Sequence, residues 1–210
     1  MAETLDAAAV VAMLDAVAQA VVDQADVLTD ADLAIGDGDH GTGMKRGFEA
    51  ARAALESSPT ASIEDAFKAV GMAVLSETGG AAGAIFGTFF RAGGKALSGK
   101  ELLDGAGFAD LLESGLAAVL KRGGVTEGQK TIIDALAPAA RAAHAAGGSL
   151  EGASAAAAQG ALQGVEATKE MIATTGKARS LGERSLGHPD PGAISVSIIL
   201  VAMRDFISGN

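Results

Sequence analysis

Val10, Val11, Leu14, Val17, Val21 and Val22 recur at three- and four-residue spacing, which gathers them on one face of a helix predicted over residues 4–28, with Thr4 as its N-cap. The same period predicts a second helix over 41–56, ended by Pro59. Ser62 followed by Asp65 resembles a capping box with Asp in place of Glu, and opens a third helix that Gly79 and Gly80 stop near Thr78. Further helices are predicted over 83–97, 107–121, 131–146, 149–173 and 191–208. Residues 195–199 alternate as a strand would, but a lone strand has no partner, so they are read as helix. Within the seventh helix Gly160 and Gly164 form a GxxxG spacing, the mark of close helix packing. The class is therefore all-α, an antiparallel eight-helix bundle in which residues 1–210 form a single domain.

Composition narrows the partners. The chain has 16 basic and 26 acidic residues, a formal charge of -10, no basic run, and only seven aromatic residues, all Phe. Nothing in it would displace phosphate counterions, so neither a nucleic-acid surface nor a polybasic membrane patch is expected. Hydrophobic residues make up 49%, largely Ala, and apolar runs such as 193–203 fall short of the ~20 residues that span a bilayer. There is no Cys, which excludes disulfides and thiolate-bound metals. The first residues lack the basic region of a secretory signal, and Asp6 and Asp15 break their apolar stretch. A soluble, cytoplasmic protein is expected.

In an up-and-down array alternate connections share one end. The connections after helices two, four and six read as ordinary turns, at 57–61, 98–106 and 147–148. Those after helices one, three, five and seven, at 29–40, 79–82, 122–130 and 174–190, do not. The last exceeds the ~12–15 residues usual for a structureless loop, a length more often functional than incidental. In the first, Asp32, Asp37 and Asp39 lie beside Gly36 and Gly38; three such carboxylates repel one another unless a cation neutralises them. With hard oxygen donors and no Cys, Mg2+ is the natural candidate, followed by Ca2+ or Mn2+; a solvated acidic turn is the alternative.

Gly36-Asp-Gly-Asp-His-Gly41 matches GxGxxG, but it follows a helix and its acids would repel a pyrophosphate unless a metal bridges the two. His40 to Gly43 would then offer backbone N–H groups at a helix start. The small residues 79–83 allow either close ligand approach or a tight turn. The stretch 123–131 reads GxxxxGQKT and fails the Walker A spacing because Gln129 precedes Lys130. Lys177, Arg179, Arg184 and His188 in the last loop suit either a polyphosphate or surface ion pairs.

Asp32 with Ile35-Gly-Asp-Gly-Asp-His-Gly41, then Gly79-Gly-Ala-Ala-Gly83 with Phe86-Gly-Thr-Phe-Phe90, then Leu181-Gly-Glu-Arg-Ser-Leu-Gly-His-Pro-Asp-Pro-Gly-Ala193 closely resembles the nucleotide-binding L subunit of dihydroxyacetone kinase, over nearly the whole chain. The resemblance implies an eight-helix antiparallel barrel holding ADP or ATP with Mg2+ at one end. By position, Asp32, Asp37 and Asp39 match the family's Mg2+ ligands; His40, Gly41, Thr42 and Gly43, with Ala81 and Ala82, match its phosphate loops. Gly123 and Ile132 match positions near base and ribose, Lys177 a usual Arg, and Asp190, Pro191 and Gly192 the terminal nucleotide-binding motif.

The family also implies partners. A separate K subunit holds the small ketose covalently, so no catalytic nucleophile is expected in this chain, and a phosphocarrier M subunit of the phosphoenolpyruvate phosphotransferase system rephosphorylates bound ADP. The alternatives are an ATP-dependent kinase subunit and a nucleotide-sensing regulatory subunit; whether the free chain forms a homodimer stays open. Four positions depart from the family pattern: Ala82 stands for Ser, Gly43 for Asn, Lys177 for Arg, and Arg179-Ser180 for Ser-Tyr. Lost hydroxyl and amide groups remove potential phosphate hydrogen bonds of ~1 kcal/mol each.

Overall fold

The structure is a computed structural model and describes residues 3–57 and 62–209. Its elements are β1 (Leu5–Asp6), α1 (Ala7–Asp23), α2 (Ala25–Ile35), α3 (His40–Ser57), α4 (Ile63–Glu77), α5 (Gly80–Ala96), β2 (Leu102–Leu103), α6 (Gly105–Gly123), α7 (Ile133–Ala146), α8 (Leu150–Thr168), a 3-10 segment (Lys177–Ser185) and α9 (Pro191–Ser208).

Eight of these helices close a ring: α1 packs on α3, and each of α3 to α9 packs on the next until α9 returns to α1. The all-α barrel expected from the sequence is thus the observed architecture. Each helix turns its apolar stripe inward, and a single cluster results, with Phe48, Phe67, Phe86, Phe90 and Phe108 among its largest buried side chains. Edge-to-face contacts join Phe90 to Phe48 and to Phe89, at centroid distances of 5.9 and 5.2 Å. Interior packing is close: the apolar crevice between α5, α7 and α9 is only about 10 Å³. By composition α9 could cross a membrane, but 56% of it is buried, between α8 and α1, and this burial accounts for its hydropathy.

The expected first helix departs from the structure. Thr4 does not cap it; Asp6 does, accepting from Ala9 N–H at 2.9 Å. The helix then breaks at Gln24 and resumes as α2, bent by 53°. The polar run Asp23-Gln24 interrupts the apolar stripe, and α2 re-aims it so that Ala25, Leu28, Asp32 and Ile35 are buried against α3 and α9. Most of what was read as the loop 29–40 is therefore helix, and only residues 36–39 are irregular.

Other boundaries differ less. Ser62 caps α4 as expected, its Oγ accepting from Asp65 N–H at 3.1 Å. The Pro59 break and most of the turn 57–61 lie outside the described residues. The short antiparallel pair of β1 with β2 was not foreseen; it straps the chain start to the connection between α5 and α6. The seventh predicted helix, placed at 149–173, ends as α8 at Thr168.

Candidate functional site

The break after α1 places α2 so that its last turn carries Asp32, 9% exposed, to the mouth of the ring. Gly36 N–H closes the turn on the Asp32 carbonyl at 2.5 Å, and a Cβ at position 36 would lie 2.1 Å from Asp32 Oδ1, so any side chain there would displace the Asp32 carboxylate. Asp32 Oδ2 accepts from His40 N–H at 3.2 Å, docking the acid against the start of α3. Asp37 and Asp39 follow on the exposed turn, and one oxygen from each of the three carboxylates lies within 4.8 Å of the others.

A cation already sits among them. The Lys177 ammonium, on the 3-10 segment, donates to Asp37 and to Asp39 Oδ2, the latter at 3.1 Å. Its bond to Asp37 holds that carboxyl below the usual range, and the two acids together raise the Lys177 ammonium above its own. On an exposed surface such a pair contributes little stability. Three hard oxygen donors that need positive charge between them suit a divalent cation such as Mg2+.

Beside this acid corner two helices begin. At α3, Gly41 slides under α2, where a Cβ would meet the Ala25 carbonyl at 2.1 Å and Thr29 Oγ1 at 2.2 Å. Gly43 lies against the end of α4, where a Cβ would stand 2.8 Å from the Thr78 carbonyl, so the amide-bearing residue usual at this position does not fit the present packing. At α5, Gly79 and Gly80 both take left-handed φ, 77° and 57°, and turn the chain back on itself. Gly80, Ala81 and Ala82, read from sequence as loop, form the first helical turn, and no side chain caps it. Uncapped N–H groups at a helix start favour an anion. Arg46 adds positive charge nearby, its guanidinium held by the Glu77 and Thr78 carbonyls at 3.2 and 3.0 Å.

The opposite side is built from the connection between α6 and α7 and from the start of α9. Asp134 accepts from Gly128 N–H at 2.5 Å and Thr131 N–H at 2.8 Å, which folds residues 128–131 over α7. Asp190 caps α9 through Ala193 N–H at 2.8 Å. His40 Nε2 lies 2.8 Å from Ser195 Oγ, which donates to the Pro191 carbonyl at 3.1 Å, so the start of α3 is tied to α9. Burial pushes the His40 imidazole below its usual range, against the opposing pull of Asp32.

Loss of hydration, aided by repulsion from Asp134, pushes the Asp190 carboxyl up to about 7, although the Ala193 N–H and Lys130 oppose this. The folded chain thus keeps a proton that the unfolded chain releases near pH ~4. This stability is complete below that unfolded value and is lost as pH rises to about 7. Asp190→Asn keeps the cap acceptor and removes the titration. Between about pH 5 and about 8, wild-type unfolding free energy in urea should fall relative to the variant's, both without metal or nucleotide. Parallel profiles would mean that Asp190 is ionised throughout.

These walls enclose a cleft of about 510 Å³. Of the residues singled out from sequence, Asp32, Asp39, His40, Thr42, Gly43, Ala81, Ala82, Ile132, Lys177, Asp190, Pro191 and Gly192 line it. Asp37 stands at the rim, joined through Lys177; Gly41 is buried beneath α2; and Gly123, at the end of α6, lies beside Val125 and behind Ile85, which lines the cleft while Gly123 does not. Sequence reasoning missed Arg46, Thr78 and Ser195. Arg46 alone left a signal, since it follows Gly43 by one helical turn.

The DAK2 domain family model matches residues 34–205. The chain is 41% identical over 177 residues to the PEP-dependent dihydroxyacetone kinase 1, ADP-binding subunit DhaL, of Listeria innocua, covering 84% of this chain and 85% of that one. It is 35% identical over 180 residues to the corresponding ADP-binding subunit of Escherichia coli, covering 84% and 86%. The dihydroxyacetone kinase of C. freundii in complex with AMP-PNP and Mg2+ superposes with a TM-score of 0.73 at 26% identity, over 94% of this chain but only 34% of that longer one. With a family model matched from α2 to α9 and a relative this similar along most of both lengths, the chain belongs to the DAK2 family of DhaL subunits.

Proposed function

We propose that the chain is the ADP- and Mg2+-binding subunit of a dihydroxyacetone kinase, a single cytoplasmic domain that passes a phosphoryl group to dihydroxyacetone or a related small ketose held on a separate K subunit. One observation carries the reading: a cleft of nucleotide size has three carboxylates at one corner and two glycine-rich helix starts beside them. Asp32, Asp37 and Asp39 would hold Mg2+. Bound there, the ion would neutralise phosphate oxygens and offset the charge that develops during transfer.

The chain's own groups do the rest. N–H groups of Thr42, Ala81 and Ala82 are preorganised donors for phosphate oxygens, the Gly43 N–H being already given to the Asp39 carbonyl at 3.0 Å, and preorganised donors are where electrostatic catalysis gains most. Lys177, at the acid corner, and Arg46, held at the Glu77 and Thr78 carbonyls, supply positive charge. Ile132, Pro191 and Gly192 give an apolar seat for base and ribose. No side chain here forms a covalent intermediate. The PEP-dependent names of similar subunits support rephosphorylation of ADP in place by a phosphocarrier subunit rather than exchange with ATP.

The test uses an accident of composition. The chain has no Trp, Tyr or Cys, so it scarcely absorbs at 280 nm, and a bound adenine dominates its near-ultraviolet spectrum. Protein purified in Mg2+ is expected to carry close to one ADP per chain, released on denaturation and identified by chromatography. An empty chain that takes up neither ADP nor ATP would overturn the reading. Weak, exchangeable ATP would instead transfer it to the ATP-dependent class.

A further inference from the structure

Within the GxxxxGQKT stretch, which Asp134 folds over α7 as part of the cleft wall, Lys130 is unusual. The residue is 2% exposed, and it is the one non-glycine residue with left-handed φ, 59°, among those described. Such strain persists only where the surroundings enforce it. The side chain does not reach for a phosphate. Its ammonium donates to three backbone carbonyls: Thr168 at 2.6 Å, Met171 at 3.2 Å and His188 at 2.5 Å.

Those carbonyls belong to separate segments. Thr168 ends α8, Met171 begins the strap that carries Lys177, and His188 leads into the start of α9. Neighbouring contacts close the same base: Gly187 N–H reaches the Lys169 carbonyl at 2.8 Å, Asp190 N–H reaches Thr168 Oγ1 at 3.0 Å, and Ala173 N–H reaches Ser185 Oγ at 3.0 Å. One whole wall of the cleft, residues 130–132, 175–178 and 190–192, comes from the three segments that meet at this ammonium.

We infer that Lys130 is a positioning residue for the nucleotide: a single buried ammonium joins the α6–α7 connection, the strap and the start of α9 into one wall, and so sets the affinity for a nucleoside diphosphate. The inference rests on the proposed reading of the cleft. A point charge suits three converging carbonyls better than a planar guanidinium does. The acid corner is built from α2 and residues 36–39 and needs none of these bonds, so the clamp acts on the nucleotide and not on the metal alone.

The test is Lys130→Met, which keeps length and loses the charge. Mg·ADP affinity by calorimetry is expected to fall about tenfold or more, as expected when buried carbonyls lose charge-assisted partners. Mn2+ affinity without nucleotide should not weaken, which separates positioning from collapse of the fold. Amide exchange over 169–190 should quicken. If the variant binds Mg·ADP as the wild type does, the inference is overturned. If the wild type binds no Mg·ADP, the reading of the cleft fails instead.

Should the variant not fold, acetylation of the wild type decides. Lys130 can react only when the wall opens, and a ligand that requires the closed wall suppresses opening by 1 + [L]/Kd. At ten times Kd, labelling of Lys130 is expected to slow roughly tenfold. Labelling at the same rate with and without Mg·ADP would refute the clamp.

Discussion

Asp37→Ala is expected to abolish phosphoryl transfer in the complex reconstituted with the K subunit, by about 10³-fold or more, the scale of the charge stabilisation a metal supplies. Asp37 is exposed and supports no part of the core, so circular dichroism and Tm should stay close to wild type. The loss would come from the ligand set. One oxygen each from Asp32, Asp37 and Asp39 lies within 4.8 Å of the other two, and removing one leaves two donors for an ion that favours six. Lys177 gives an internal comparison. With Asp37 gone it keeps Asp39 at 3.1 Å, so the positive charge at the corner remains while the oxygen donor is missing. A variant that retained wild-type turnover with unchanged Mg2+ dependence would remove Asp37 from the metal site.

Gly164→Val is expected to have the largest effect on stability. A Cβ at position 164 would lie 2.2 Å from the Asp134 carbonyl and 2.6 Å from Ala135 Cα, backbone atoms that cannot step aside. The carbonyl is exposed to this approach for a local reason: Pro138, inside α7, has no N–H to bond it. Only glycine lets α8 cover it. Overpacking commonly costs 1–3 kcal/mol, and backbone contact of this kind belongs at or beyond the upper end, about 3 kcal/mol. In a chain of this size that lowers Tm by ~10 °C.

The damage should also reach the cleft. The Asp134 side chain holds the Gly128 and Thr131 amides, so forcing α7 away from α8 should weaken Mg·ADP binding as well. Thermal unfolding followed by circular dichroism checks the first part and calorimetry the second. A Tm within about 2 °C of wild type would mean that the α7–α8 contact yields more easily than its geometry implies.

The identity of most helices was legible because it rests on local period and local capping. Ser62 capped α4, Pro191 opened α9, and the GxxxG of α8 marked a close helix approach, found against α7, where Gly160 lies over the Pro138 carbonyl and Gly164 over that of Asp134. The bend at Gln24 was not legible. Asp23 and Gln24 interrupt the apolar stripe without deciding whether the helix bends there, and the reason to bend is the room available between α3 and α9, which are distant in sequence. For the same reason the start of α5 was misplaced: Gly79 and Gly80 signal a turn, but that the helix begins within them depends on where α4 ends.

By itself, the sequence determined the all-α class, the end of the bundle where unusual connections gather, and the acid triplet, because charge, period and turn chemistry act between residues close in the chain. Only the tertiary structure decided that the ring closes through α9 onto α1 and that Lys177 reaches Asp37 and Asp39 across the cleft. The same holds for Lys130, whose ammonium turns inward to Thr168, Met171 and His188. Those contacts join segments far apart in sequence, and their positions follow from how whole helices pack rather than from any local pattern.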